Sequence, residues 1–250
     1  PIVIILYYAF TNTSGAFTWD NIAAIADPVH VKSILLSLKL GFFCTVVCLL
    51  LAYPLAMILN SFHFKHQSFV VFLFVLPMWM NFLLRTLAWQ TLLEKNGVIN
   101  SVLSFLHLPA LEIINTPYAI ILGMVYNFLP FMIYPIYNTL QKMDHSLIEA
   151  AQDLGANPSQ VFIKAVFPLS MPGVMSGIMM VFMPTISTFA IAELLTMNNI
   201  KLFGTTIQEN INNGMWNYGA ALSLIMLLLI GITGLFSNES SDSANEGGLI

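Results

Sequence analysis

The chain has 250 residues, of which 58% are hydrophobic and only 8% charged, and its formal net charge is −4. A soluble domain carries roughly 25% charged residues, so this composition excludes a soluble globular protein and specifies an integral membrane protein. The weak negative balance also excludes a basic face for nucleic acid and a polybasic lipid anchor.

Crossing a hydrocarbon core of about 30 Å takes roughly 20 apolar residues. In chain order, residues 1–10 are apolar but too short to span, and are expected to be the outer end of a first spanning helix that begins before residue 1. Residues 11–31 carry Asn, Gly, Thr and Pro signals and form a surface connection. The first full span is 34–60, where Cys44 and Cys48 lie four apart and face one side of the helix as small hydrophobes rather than as metal or redox groups. A polar turn at 61–68 leads into a second span at 69–93. His63 and His66 flank Lys65 in that turn and offer too few ligands for a metal. Residues 94–116 return to the surface, with an amphipathic stretch at 98–106 suited to the membrane interface. Spans follow at 117–138, 168–197 and 216–236, separated by a long helical segment at 139–167 and a surface connection at 198–215. Residues 1–236 thus form one transmembrane domain, and the acidic, Ser- and Gly-rich tail 237–250 is expected to be disordered. The fold class is all-α and polytopic.

Charge does not orient the chain. Lys65, Lys142 and Lys164 fall on one side of the membrane and Lys32, Lys95 and Lys201 on the other, a tie under the positive-inside rule. The segment 139–167 must do so instead. Asp144 is placed to cap a helix through Ile148, Ala151 and Leu154, and Gly155 can end it in a left-handed conformation. Asn157 caps a second helix with Pro158 at its first position, running to Phe167. Ala150 and Ala151 permit close approach of another surface, while Glu149 and Asp153 lie on one face.

Glu149-Ala150-Ala151, three residues, Gly155 and, after a further stretch, Phe167-Pro168 resemble the EAA loop of permease subunits of ABC-type importers. Ala165 and Phe167 depart from the Ile and Leu usual in that loop. The run Pro77-Met78-Trp79-Met80-Asn81-Phe82-Leu83-Leu84-Arg85, with Thr116-Pro117, Gly123–Tyr126 and Leu129–Met132, is similar to the spermidine/putrescine branch of the same family. The resemblance implies a type I ABC importer permease fold with about six transmembrane helices, in a bacterial inner membrane. It implies ATPase coupling through Glu149, Ala150, Ala151, Asp153, Gly155 and Pro168, with 139–167 cytoplasmic. It also implies partners: a homologous second permease, two copies of a cytoplasmic ATPase that hold ATP and Mg, and an extracytoplasmic polyamine-binding protein. No phosphate loop of the form G-x-x-x-x-G-K-[ST] occurs in the sequence, so this chain is expected to be a transport subunit rather than an enzyme and to hold no cofactor.

Ionisable residues inside a membrane are costly and mark function. Arg85, following Trp79 and Asn81, is one such residue, and Glu193, placed after a helix break expected at Pro184, is another. Lys39 lies near a helix end and can snorkel. A polycation needs carboxylates and aromatic faces along its path, which makes Glu193, Trp79, Asn81, Arg85, Tyr126 and Phe189 the candidate substrate-path residues. Pro77, Pro130, Pro135 and Pro184 can kink helices and free carbonyls. Two competing readings stay open here: a secondary transporter, and an importer of the same architecture carrying another small solute.

Overall fold

The computed structural model describes residues 2–61, 74 and 76–246, and among these the regular elements are all helical. We label them α1 (Ile2–Ala9), α2 (Pro28–Ser61), α3 (Phe82–Leu93), α4 (Val98–Phe105), α5 (Pro117–Gln141), α6 (His145–Asp153), α7 (Pro158–Ser187), α8 (Ala190–Thr196), α9 (Phe203–Asn212) and α10 (Trp216–Glu246). Among the described residues α2, α5, α7 and the Trp216–Gly234 part of α10 are long and apolar enough to cross a membrane. The turn expected at 61–68, with His63, Lys65 and His66, lies outside the described residues beyond Ser61.

Three expectations need correction. The run 69–93 is not one helix: among its described residues Phe74 is helical, Leu76–Trp79 is a 3₁₀ turn, and α3 starts afresh at Phe82. Pro77 lacks a backbone N–H, and the Asn81 side chain accepts from the N–H groups of Leu83 (2.9 Å) and Leu84 (3.3 Å), so a new helix starts there. Pro184 does not break its span. α7 continues to Ser187, and the break falls at Thr188 and Phe189, where Gly204 of α9 comes close to the exposed carbonyls; a Cβ on it would lie 2.6 Å from the Ser187 oxygen. The tail is helical rather than disordered as far as Glu246. Extending an existing helix adds one hydrogen bond for each residue fixed, and no Pro or Gly intervenes between Leu235 and Gly247.

The described residues group into two compact units, one from Pro1–Cys44, Met80–Tyr126 and Phe182–Thr233, the other from Thr45–Trp79, Asn127–Val181 and Gly234–Ile250. In the first, Ala9, Ile25, Ile186, Phe203, Leu222 and Met226 form a buried apolar cluster. The Phe203 N–H donates to Ser37 Oγ at 2.8 Å, which ties the start of α9 to α2. Gly41 lets α2 approach α7, since a Cβ there would already touch Ile186 Cγ1 at 3.3 Å. The interfacial stretch also forms: α4 exposes Val98, Val102 and Phe105 along one stripe.

In the second unit α7 packs on α5 through Gly173 and Gly177. These stand four apart, the spacing that brings membrane helices into backbone contact. Tyr53 and Ser170 are buried and hydrogen-bonded at 2.7 Å. Ser170 Oγ has one proton, which it donates to the Phe167 carbonyl at 2.8 Å, so the Tyr53 hydroxyl is the donor between the pair. Tyr53→Phe therefore removes one bond without stranding Ser170. We expect it to cost about 1 kcal/mol, read as a small fall in the thermal midpoint of the detergent-solubilised chain beside unchanged expression.

Candidate functional site

The 139–167 segment folds as its local signals require. Asp144 Oδ1 accepts the Ser146 N–H at 2.9 Å and starts α6. At the other end the Ala156 N–H reaches back to the Ala151 carbonyl (3.1 Å) and the Gly155 N–H to the Gln152 carbonyl (2.8 Å). That pair of bonds is a Schellman motif, and it sets Gly155 at φ +82°, the left-handed region. Asn157 then caps α7 reciprocally: its side chain accepts from the Gln160 N–H (2.9 Å), and the Gln160 side chain accepts from the Asn157 N–H (3.0 Å).

The second helix does not stop at Phe167. It runs without interruption into the span as α7, through a π turn at Phe162–Val166. Pro168 lacks the N–H that would pair with a carbonyl one turn earlier, and a widened turn is the usual accommodation of such a mismatch. Phe162 and Phe167 flank Tyr53, with ring centroids 5.8 and 5.9 Å away.

The hairpin offers a mixed surface. Glu149, Ala150, Asp153 and Gly155 are exposed and Ala151 is half-buried. Beside them Leu154 is 89% exposed, and Leu147 and Ile163 are exposed as well. Apolar side chains held out by a capped corner, next to two carboxylates, form a surface suited to a partner. Leu147 and Leu154 stand seven residues apart, on α6 and at its C-cap, and that spacing was the signal for this apolar surface available in the sequence.

The candidate path residues separate. Arg85, on α3, is buried with its guanidinium 5.8 Å from the centre of the Tyr126 ring, which stands edge-on to Trp89 at 5.2 Å. This arrangement is a cation–π contact inside one unit. Asn81 caps α3 with its side-chain oxygen. Phe189 is half-exposed at the break before α8. Trp79 belongs to the other unit and is 80% exposed.

Glu193 lies on the exposed face of α8. The helix ends with its carbonyl accepting the N–H groups of Met197 and Asn198. Both of those residues have positive φ, +47° and +63°, an uncommon pair for non-glycine residues that turns the chain sharply toward α9. Glu193 faces Thr205, Gln208 and Glu209 of α9 across a polar cavity. These three fall in the segment 198–215, expected to be a surface connection, and their spacing along one face of α9 was the signal available in the sequence. Among the described residues no group of three or more His, Cys, Asp or Glu assembles as a metal site, and Cys44 and Cys48 are both buried.

Comparison with known proteins agrees with this geometry. The family model described as "Binding-protein-dependent transport system inner membrane component" matches residues 2–240. The chain is 34% identical over 242 residues to the spermidine/putrescine transport system permease protein PotB of Haemophilus influenzae, covering 93% of this chain and 84% of that one. It is 35% identical over 219 residues to PotB of Escherichia coli, covering 86% and 80%. Among solved structures it is similar to a bacterial ABC transporter involved in the import of the acidic polysaccharide alginate. The TM-score is 0.81 at 18% identity, covering 96% of this chain and 88% of that one, a likeness of fold.

Proposed function

We infer that this chain, which belongs to the family of binding-protein-dependent transport system inner membrane components, passes polyamines of the spermidine and putrescine type through the membrane. It is the multi-pass permease subunit of an ABC importer and has the type I permease fold. ATP is hydrolysed in a separate subunit. The finer assembly is part of the proposal: a homologous second permease beside this chain, two copies of the ATPase, and a polyamine-binding protein on the outside.

The observation that carries this reading is the hairpin. Its capped corner at Gly155 holds Leu147 and Leu154 outward beside Glu149 and Asp153. Such a surface fits a groove of the ATPase, and α7 is a continuous helix from Pro158, directly after that corner, to Ser187. A partner that moves the corner therefore moves a spanning helix. The hairpin is then cytoplasmic. One crossing later, the segment from Ala190 to Met215 is on the outer side, where cargo arrives. The polyamine assignment is supported by relatives at 34% and 35% identity that carry that cargo in their names.

Uptake of labelled spermidine and putrescine into cells expressing the chain with its partners tests the reading. Uptake that depends on the ATPase and is competed by other polyamines is expected. Uptake that continues without the ATPase would return the chain to the secondary transporters. Uptake of a different solute in place of polyamines would remove the cargo.

A further inference from the structure

Glu193, Thr205, Gln208, Glu209 and Asn213 line a cavity of about 160 Å³ between the end of α8 and one face of α9, and every side chain lining it is polar. Two carboxylates alone would make only an acidic patch. Thr205 adds a second, independent feature: it is 1% exposed, and its hydroxyl has no hydrogen-bond partner. Its neighbours on the helix turn their polar groups back onto the backbone, Thr206 Oγ1 to the Leu202 carbonyl (3.1 Å) and Asn210 Nδ2 to the Thr206 carbonyl (2.8 Å). Thr205 does neither. A buried hydroxyl without a partner is unfavourable, and this one lines the cavity that Glu193 and Glu209 also line.

Glu209 Oε2 accepts a hydrogen bond from Lys201 Nζ at 2.7 Å. The carboxylate already holds one primary ammonium, supplied by the chain itself. An ammonium has three donors and no acceptor, which matches a lining of two carboxylates, the hydroxyl oxygen of Thr205 and the amide oxygen of Gln208. The volume is well above the roughly 10–15 Å³ that one water needs, so a short aminoalkyl arm fits. An anion would meet two like charges.

We propose that this cavity binds the primary ammonium end of an organic cation, and that Lys201 is a tethered competitor which the incoming amine displaces from Glu209. The choice of a diamine as ligand rests on the polyamine reading, whereas the demand for an ammonium comes from the lining itself. Displacement makes entry selective: a neutral molecule of the same shape cannot take over the Glu209 contact, and the Lys201 arm closes on the carboxylate again once the amine has moved on.

The test uses the complete importer in lipid nanodiscs with Asn213→Cys as reporter, and Asn212→Cys as a second reporter should the first assemble poorly. Alkylation by N-ethylmaleimide is timed with putrescine, with butane-1,4-diol, and with sodium chloride at matched ionic strength. The native cysteines are buried, and the parent protein measures any contribution from them. Putrescine should slow alkylation several-fold, and the diol and the salt should not. Glu209→Gln and Thr205→Val should each raise the putrescine concentration giving half-protection, the first by about tenfold, as expected for a lost charged hydrogen bond. Lys201→Gln should lower it several-fold.

Equal rates with putrescine and with salt, or protection undiminished in Glu209→Gln, overturn the site. Half-protection unchanged in Lys201→Gln overturns the displacement. Labelled putrescine uptake is measured in parallel. Uptake without protection removes the cavity and leaves the transport reading intact, and protection without uptake does the reverse.

Discussion

Replacing Gly155 with valine is expected to lower ATP-dependent uptake by about tenfold while the chain reaches the membrane in normal amounts. Gly155 sits at φ +82°, and a Cβ built on it meets nothing within 4 Å. The penalty is therefore one of backbone conformation alone, about 1–2 kcal/mol for an L-residue in the left-handed region, and a β-branched residue is at the unfavourable end. Relieving it means breaking the bonds from Gly155 and Ala156 back into α6, which swings Leu154 away from its held position. The spanning helices take no part in that change. Uptake, co-purification of the ATPase and membrane content should be measured together, with Gly155→Asn as a milder companion because Asn tolerates this region. Normal uptake and normal ATPase recovery in the valine variant would remove the hairpin from the coupling role.

A second large effect is expected at Gly173, where leucine should abolish recovery of a monodisperse detergent-solubilised chain. A Cβ there would stand 2.7 Å from the Pro135 carbonyl oxygen and closer still to Thr139 Oγ1. Neither atom can retreat easily, because one is backbone and the other is tied to that same carbonyl by a 3.0 Å hydrogen bond. Overpacking of a well-filled contact costs about 1–3 kcal/mol, and a whole side chain at a backbone contact leaves no room for repacking. At Gly177 the nearest atom is Met132 Sδ, the flexible part of a side chain, so Gly177→Ala should be milder. Gly231, with nothing within 4 Å, serves as the control, and alanine there should leave the thermal midpoint of the chain unchanged. Equal behaviour of the Gly173 and Gly231 variants would show that α5 and α7 do not meet as described.

The features that could be read from the sequence are those settled within a few residues. Asp144, Gly155, Asn157 and Pro158 announce the hairpin because each cap is made between neighbours in the chain. The long apolar runs announce spans because length and polarity are properties of a segment by itself. Other features depend on partners far away in sequence. The break after Ser187, rather than at Pro184, reflects the approach of Gly204. The Gly173 contact needs Pro135, and the surroundings of Glu193 come, Asn198 apart, from residues 12 to 20 positions later. Periodicity carries no trace of these pairings. The helical tail was misread for a different reason: its composition disfavours burial, yet a helix already under way does not need burial to continue for some turns.

The π turn at Phe162–Val166 sets the rotational phase between the hairpin and the membrane. Each residue of an α-helix advances the chain by about 100° around the axis, so a residue count carried through a turn that takes in one extra residue is wrong by that angle. The surface carrying Ile163 and the corner thus points in a direction that a helical wheel drawn back from the span would miss. Removing one residue within 162–166 would let the turn relax to α geometry and leave the corner pointing as it does, whereas removing one elsewhere between Pro158 and the span would swing the corner by about 100°. A single irregular turn thus absorbs one residue between the corner and the span without rotating one against the other.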